Sequence, residues 1–258
     1  MNQMTDRQSL HSQYHNADTL NIRIAFHQKY SLQKEPFSDW LFSHYAFFPG
    51  MRVLEIGCGN GSLWQNKLHL LPVPAEMILT DLSPGMLAQA KAALPTLPFL
   101  SFQTADIQAL PFPDEHFDLV IANMMLYHVP DLPKGLREVN RVLKNGGVFH
   151  CATSGEKTVV DYIREITAGR VLPSHLSFTL QNGESLLRPF FKEVTCFRRN
   201  DALRVTDMED MMAYIHSLAS MSGLDGADDA LLRLRLKQKM EQGVLHIPKE
   251  YGTFRCVK

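Results

Sequence analysis

Arg52-Val53-Leu54-Glu55-Ile56 runs straight into Gly57-Cys58-Gly59-Asn60-Gly61. The first five residues read as a buried strand, and the next five as a glycine loop that breaks it. Trp64, Leu68 and Leu71 then recur at helical spacing until Pro72 stops them, which predicts a helix. The same alternation continues downstream. Met77-Ile78-Leu79-Thr80 is a second strand ending in Asp81, after which Ser83 is an N-cap with Pro84 at the first helical position and Leu87, Ala90 and Leu94 on one face. Phe99 to Gln103 reads as a third strand, Phe117 to Ala122 as a fourth and Val148 to Thr153 as a fifth. Asp131 caps a helix with Leu132, Leu136, Val139 and Leu143 on one stripe, closed by Gly146-Gly147. Strands joined by helical crossovers predict an α/β fold with a doubly wound, mostly parallel sheet buried on both faces.

The flanks read differently. Residues 1–48 hold no strand but several aromatics, among them Tyr14, Phe26, Tyr30, Trp40 and Tyr45, and form a helical cap. A helix near Val159 to Ala168 and a short one near Glu184 to Leu187 precede a sixth strand, Phe191 to Phe197. Gly252 to Val257 is a seventh strand, pairing antiparallel with the sixth. Between them lies a helical insertion. Thr206-Asp207-Met208-Glu209 is a capping-box pattern, opening a helix with Met208, Met211, Met212, Ile215 and Leu218 on one side. Gly223 to Asp229 is a polar turn, and a charged helix follows from Ala230 to Met240. The chain is expected to be a single domain over 1–258: a cap (1–48), a core (49–200), a helical lid or substrate insertion (201–248) and a last strand (249–258).

Composition narrows the function. With 258 residues, 45% apolar and 21% charged, the chain is an ordinary globular sequence. Its 26 basic and 27 acidic residues leave a net charge of −1, without the basic surplus that phosphate neutralisation calls for, so nucleic acid is not the expected partner. Cys58, Cys151, Cys196 and Cys256 form no C-x-x-C pair, and His11, His15, His27 and His44 lack ligand spacing, so no metal is expected. Free thiols, a polar N-terminus and no long apolar run point to a cytoplasmic protein, monomer or homodimer, without a membrane span.

In open α/β sheets ligands bind beyond the carboxyl ends of the strands, near the point where strand order reverses. The first strand brings Glu55 and the loop Gly57-x-Gly59-x-Gly61 to that edge, with Cys58 between glycines, where a small side chain suffices. The second brings Asp81, a carboxylate able to accept from both hydroxyls of a ribose. After the third come Asp106, for an exocyclic amine, and Ile107, an apolar wall for a purine; the fourth ends at Asn123 before a rim holding Tyr127 and His128. These groups describe a pocket for an adenosine with an amino-acid tail. The dinucleotide pattern G-x-G-x-x-G would need glycine where Ser62 stands, and Glu55 suits a cationic tail better than a pyrophosphate.

Val53 to Gly61 resembles the first motif of class I S-adenosylmethionine-dependent methyltransferases, and Asp81-Leu82-Ser83-Pro84-Gly85-Met86-Leu87 resembles their acidic-loop motif. Ala105-Asp106-Ile107, Leu110-Pro111-Phe112 and Phe117-Asp118-Leu119-Val120 are similar to the adenine-side segments. Tyr127-His128-Val129-Pro130-Asp131 and Val142 to Gly147 resemble the later motifs of the ubiquinone-biosynthesis-type branch (methyltransferase type 11). The resemblance covers residues 50–153. It implies a Rossmann-like seven-stranded fold, S-adenosylmethionine as cofactor, S-adenosylhomocysteine as product and a small-molecule acceptor. By position it assigns Glu55 and the Gly57, Cys58, Gly59 and Gly61 loop to the methionine part and Asp81 to the ribose. Leu82 and Met86 fall to the adenine face, Asp106 and Ile107 to the adenine edge and Asn123 to the sulfonium end.

Several roles stay open at this level. His128 and Tyr127 are candidate catalytic bases if the acceptor carries a proton, and His128 reads equally as a helix-entry residue. Tyr14, His27 and Tyr30 either close over the cofactor or form an aromatic helix face packed on a core. Met208 and Met212 are either core or substrate wall. A nucleotide-dependent oxidoreductase and a non-catalytic binding module on the same sheet are the alternative functions.

Overall fold

The computed structural model describes residues 17–166, 176–218 and 228–258, so Tyr14 and most of the expected Gly223 to Asp229 turn lie outside the described residues. Seven strands are present: β1 (Arg52–Ile56), β2 (Glu76–Asp81), β3 (Leu100–Thr104), β4 (Phe117–Asn123), β5 (Leu143–Ser154), β6 (Glu193–Val205) and β7 (Leu245–Val257). Eight helices are described: α1 (Ala17–Tyr30), α2 (Phe37–Phe42), α3 (Pro84–Ala93), α4 (Leu132–Val142), α5 (Val159–Ile166), α6 (Gly183–Leu187), α7 (Met208–Ser217) and α8 (Asp229–Lys239).

The strands form one sheet in the order β3-β2-β1-β4-β5-β7-β6. β1 lies parallel to β2 and to β4, with Glu55 opposite Leu79 and Ile121; β2 pairs parallel with β3, and β4 with β5. β7 runs the other way. Lys258 N–H donates to the Gly147 carbonyl (3.1 Å) and Gly155 N–H to the Glu250 carbonyl (2.8 Å), so β7 descends as β5 rises. Lys192 N–H donates to the Val257 carbonyl (2.8 Å) and Gly252 lies against the Phe197 carbonyl, so β7 is antiparallel to β6 as well. The chain moves outward from β1 through β2 to β3, then returns to place β4 on the other side of β1. Strand order thus reverses between β1 and β4, the place where folds of this kind take a ligand.

The chain divides into two compact units. The core unit comprises 37–153, 177–198 and 252–258. Alternate residues of its strands feed two apolar layers. Leu54, Ile56, Val120 and Ala122 join Leu132, Leu136 and Val139 of α4, whereas Val53, Leu119 and Ile121 join Leu41 of α2 and Leu87 and Ala90 of α3. Both faces are buried, as a parallel sheet requires. Caps match the sequence signals: Ser83 Oγ accepts from Met86 N–H, and Asp131 from Lys134 N–H.

The second unit comprises 1–36, 154–176 and 199–251. Phe26 and Tyr30 of α1, Val159 and Ile163 of α5, Met211, Met212 and Ile215 of α7, and Leu232 and Leu236 of α8 share one apolar cluster with Leu203, Val205, Leu245 and Ile247. Buried within it, Lys249 Nζ pairs with Asp201 at 2.7 Å.

Four local expectations are corrected. No α-helix follows the glycine loop. Trp64, Lys67 and Leu70 donate to carbonyls three residues back, and only Leu68–Leu70 completes a 3-10 turn. Asn66, at φ 59°, takes the left-handed conformation that interrupts a helix. Gly146-Gly147 does not close α4: Leu143 N–H caps it on the Val139 carbonyl, and the chain is already extended there. The cap of α7 is Asp207, accepting from Glu209 and Asp210 N–H, rather than Thr206. β6 and β7 are each longer than expected, so 201–205 and 245–248, read as part of a helical insertion, are strand.

Candidate active site

Glu55 is the next-to-last residue of β1, on the face that buries Val53, and is 2% exposed. Trp64 Nε1–H donates to its Oε2 at 2.6 Å. Burial raises the carboxyl to about 7, the indole N–H opposes that rise, and the nearby Asp81 adds to it. Thr80 Oγ–H donates to the Glu55 carbonyl (2.8 Å), and Cys58 N–H to the Thr80 carbonyl (2.9 Å), so the ends of β1 and β2 hold the glycine loop from below.

Gly57 and Gly59 have left-handed backbones, at φ 72° and 56°. A Cβ on Gly57 would stand 2.9 Å from Met125 Cγ, whereas one on Gly59 would meet nothing within 4 Å. Gly57 therefore serves internal packing, and Gly59 leaves main chain bare to open space. Gly61 packs on Ala90 and Leu94. The Cys58 side chain is buried, and burial beside Glu55 and Asp81 pushes its thiol far up, which leaves it inert.

Asp81 ends β2. Its Oδ2 accepts from Gly59 N–H (2.9 Å) and its Oδ1 from Ser83 N–H (2.8 Å), so one carboxylate ties the loop to the start of α3. Burial raises its pKa against those amide donors. Leu82 beside it is 41% exposed, but Met86 is only 1% exposed and offers no open face. Beyond β3, Asp106 Oδ1 accepts from the backbone N–H (2.9 Å) and side-chain Nε2 (3.1 Å) of Gln108. Ile107 is buried against Gly135 of α4. Arg141 of α4 fixes this loop, donating to the Leu110 and Phe112 carbonyls (2.9 and 2.8 Å), Asp114 (2.7 Å) and Glu138 (2.8 Å).

Asn123 closes β4. Its Nδ2 donates to Tyr45 Oη at 2.8 Å, and its Oδ1 is buried with no hydrogen-bond partner among the described residues. Met124 follows at φ 55°, a strained turn for an unbranched non-glycine residue, and aims Met125 at Gly57. Tyr127 and His128 form a short 3-10 turn beyond it, with ring centroids 4.5 Å apart.

The structure thus gathers Glu55, the glycine loop, Asp81, Asp106, Ile107 and Asn123 at the carboxyl ends of β1 to β4. His27, Tyr30, Met208 and Met212 belong to the second unit. There Tyr30 is buried with its hydroxyl donating to Asp210 (2.5 Å), and Met212 is 2% exposed in the core, with Met208 packed against it. His27 Nε2 lies 3.2 Å from Tyr214 Oη; burial and the nearby Lys249 lower its pKa to about 3. Sequence reasoning missed Tyr45 and assigned Trp64 only to a helix face. The available signal was chemical: a buried indole N–H or phenol must find a partner. Among the described residues no group of His, Cys, Asp and Glu could hold a metal ion.

A switch-point arrangement of carboxylates, with bare main chain at Gly59 and a spare amide oxygen, is what a site for S-adenosylmethionine would call for. The donor set fits that cofactor, offering acceptors to an ammonium, ribose hydroxyls and an adenine amine, and no cationic clamp for phosphates. Residues 54–151 match the methyltransferase domain family. The segment is similar to the ubiquinone/menaquinone biosynthesis C-methyltransferase UbiE of Shewanella sp. (strain ANA-3), 38% identical over 102 residues. That match covers 38% of this chain and 41% of the relative; the chain therefore spans about two fifths of the curated relatives it matches. In fold it is similar to a putative methyltransferase of Bacillus halodurans (TM-score 0.60, 17% identity, 87% of this chain and 99% of that one). It is also similar to a Haemonchus contortus phosphoethanolamine N-methyltransferase solved with S-adenosylhomocysteine (TM-score 0.55, 17% identity, 86% and 52%).

Proposed function

We propose that the protein transfers a methyl group from S-adenosylmethionine to a small-molecule acceptor by in-line displacement. One observation carries the reading: Glu55, Asp81, Asp106 and Asn123 stand at the ends of four adjacent parallel strands, in the spatial order that an adenosine with an amino-acid tail requires. The cofactor supplies a methyl group already activated on a sulfonium. The protein's part is to orient and to exclude water, which can supply most of the rate. Asp81 holds the ribose hydroxyls, Asp106 and Ile107 take the adenine with Leu82 along its face, and Glu55 with the Gly57 to Gly61 loop holds the methionine part. His128 and Tyr127, at the rim beyond β4, are placed to accept a proton when the acceptor atom loses one.

Acceptor choice is assigned to residues outside 54–151, because relatives named for carbon and for nitrogen methylation share the core with this chain. His27, Tyr30, Met208 and Met212 fall in that remainder. A cytoplasmic monomer or homodimer that engages no nucleic acid belongs to the same proposal, supported by four free cysteines and by the absence, among the described residues, of any helix long and apolar enough to cross a membrane. Isothermal titration tests the function. Saturable heat with S-adenosylmethionine and S-adenosylhomocysteine is expected; silence toward both, with saturable binding of NADH, overturns it in favour of an oxidoreductase.

A further inference from the structure

Tyr45 lies just beyond α2, its N–H on the Phe42 carbonyl (3.1 Å). Its ring is walled by Phe42, Phe47 and His150, with centroids 6.4, 6.1 and 5.0 Å away. These rings leave the side chain 7% exposed and fix where the hydroxyl stands. The hydroxyl oxygen accepts from Asn123 Nδ2 at 2.8 Å. An amide is planar, so pinning its nitrogen turns its oxygen to the opposite side. The Asn123 backbone is held too: it pairs with Ala152 of β5, and Met124 N–H donates to the Ala152 carbonyl (2.8 Å).

The oxygen so aimed, Asn123 Oδ1, is buried and has no partner among the described residues. Leaving a buried carbonyl unpaired is costly, a cost that a bound donor removes. The register says which donor. Glu55 is opposite Ile121, and side chains two apart on a strand share a face, so Glu55 and Asn123 look out on the same face of adjacent strands. A carboxylate and an amide oxygen on one face of adjacent strands, with no cationic side chain bonded to either among the described residues, are a pair of acceptors for an ammonium.

We infer that Tyr45 is a positioning residue, which orients the Asn123 amide so that Oδ1 accepts a hydrogen bond from the ammonium of the cofactor's methionine part. The inference rests on the methyltransferase reading above. It gives the phenol a role through Asn123, beyond filling the layer between Phe42 and Phe47.

Calorimetry with two nucleosides tests it: S-adenosylhomocysteine, which carries the ammonium, and 5′-methylthioadenosine, which lacks the amino-acid part. Tyr45→Phe keeps the ring and removes the hydroxyl. Tyr45→Phe and Asn123→Ala are each expected to weaken S-adenosylhomocysteine about tenfold, the loss of one hydrogen bond to a charged group. Methylthioadenosine binding is expected to stay within twofold of the unaltered protein. The double variant is expected to bind no worse than Asn123→Ala alone, since Tyr45 acts only through Asn123. Unchanged S-adenosylhomocysteine affinity in Tyr45→Phe, equal losses for both nucleosides, or fully additive losses would each overturn the inference and leave the methyltransferase reading standing. An unaltered protein that binds neither nucleoside overturns both.

Discussion

Glu55 is the residue on which charge and binding trade against each other. Its carboxyl is ordinary in the unfolded chain and is raised to about 7 by burial in the folded protein. The folded state therefore holds more protons than the unfolded state between pH about 4.5 and 7, and stability falls as pH rises through that window. Above it the full penalty, about 3 kcal/mol, is present. Glu55→Gln is expected to raise the melting temperature of the ligand-free protein at pH 8 and to change little at pH 4, and to weaken S-adenosylhomocysteine at pH 8 far more than at pH 4. In the unaltered protein a cationic ligand favours the carboxylate, so affinity should climb with pH up to about 7 and then level. A flat affinity profile would show that the ligand's positive end lies elsewhere.

Among the elements, α4 does more than cover the sheet. Its apolar stripe packs on β4 and β5, and its polar edge carries Arg141 and Glu138, which clasp the chain on both sides of Pro111. Arg141 binds the Leu110 and Phe112 carbonyls, and Glu138 Oε2 accepts from Leu110 N–H at 2.8 Å. Asp106 and Ile107 sit a few residues upstream, so one helix sets the wall expected to face an adenine. Arg141→Ala leaves two carbonyls and the Asp114 carboxylate without their donor. It should lower stability by about 2 kcal/mol and weaken methylthioadenosine and S-adenosylhomocysteine alike. Chemical denaturation and titration on the same variant check this. Equal weakening separates the adenine loop from Asn123, whose loss is felt only by the ligand with the ammonium.

Across the whole molecule, the sequence was most legible where both faces of a strand are apolar. β1, β2 and β4 read almost to the residue because every neighbour is buried and the glycine, Asp81 and Asn123 breaks fall at their ends. β6 and β7 read short for one physical reason. Lys249 takes an inward position between buried Ile247 and half-buried Tyr251 on β7, and Asp201 an inward position on β6, so charge stands where the alternation asks for apolar residues. Each is intelligible only with its partner. Within the site, strand-end carboxylates were visible locally, but Tyr45 and Asn123 are 78 positions apart, and no local pattern pairs them. The buried pair makes its own prediction. Lys249→Met strands Asp201 with only Ser31 and two backbone amides, and is expected to cost about 3–5 kcal/mol. Lys249→Met with Asp201→Leu should recover much of that, read from urea midpoints. A double variant as unstable as the single one would mean the pair contributes net stability.

The contact between the Trp64 indole and Glu55 carries a practical corollary. Of the chain's 2 tryptophans, Trp40 stacks on Phe37 (5.8 Å) and lies tilted against His44 (4.4 Å), while Trp64 is bonded to Glu55, the carboxylate proposed to meet the ligand. Proton loss or salt formation at that carboxylate alters the electric field on the indole, so its emission colour is a built-in gauge of occupancy. The unlabelled protein can then be titrated with S-adenosylmethionine and its analogues in a cuvette, with Trp40→Phe removing the background.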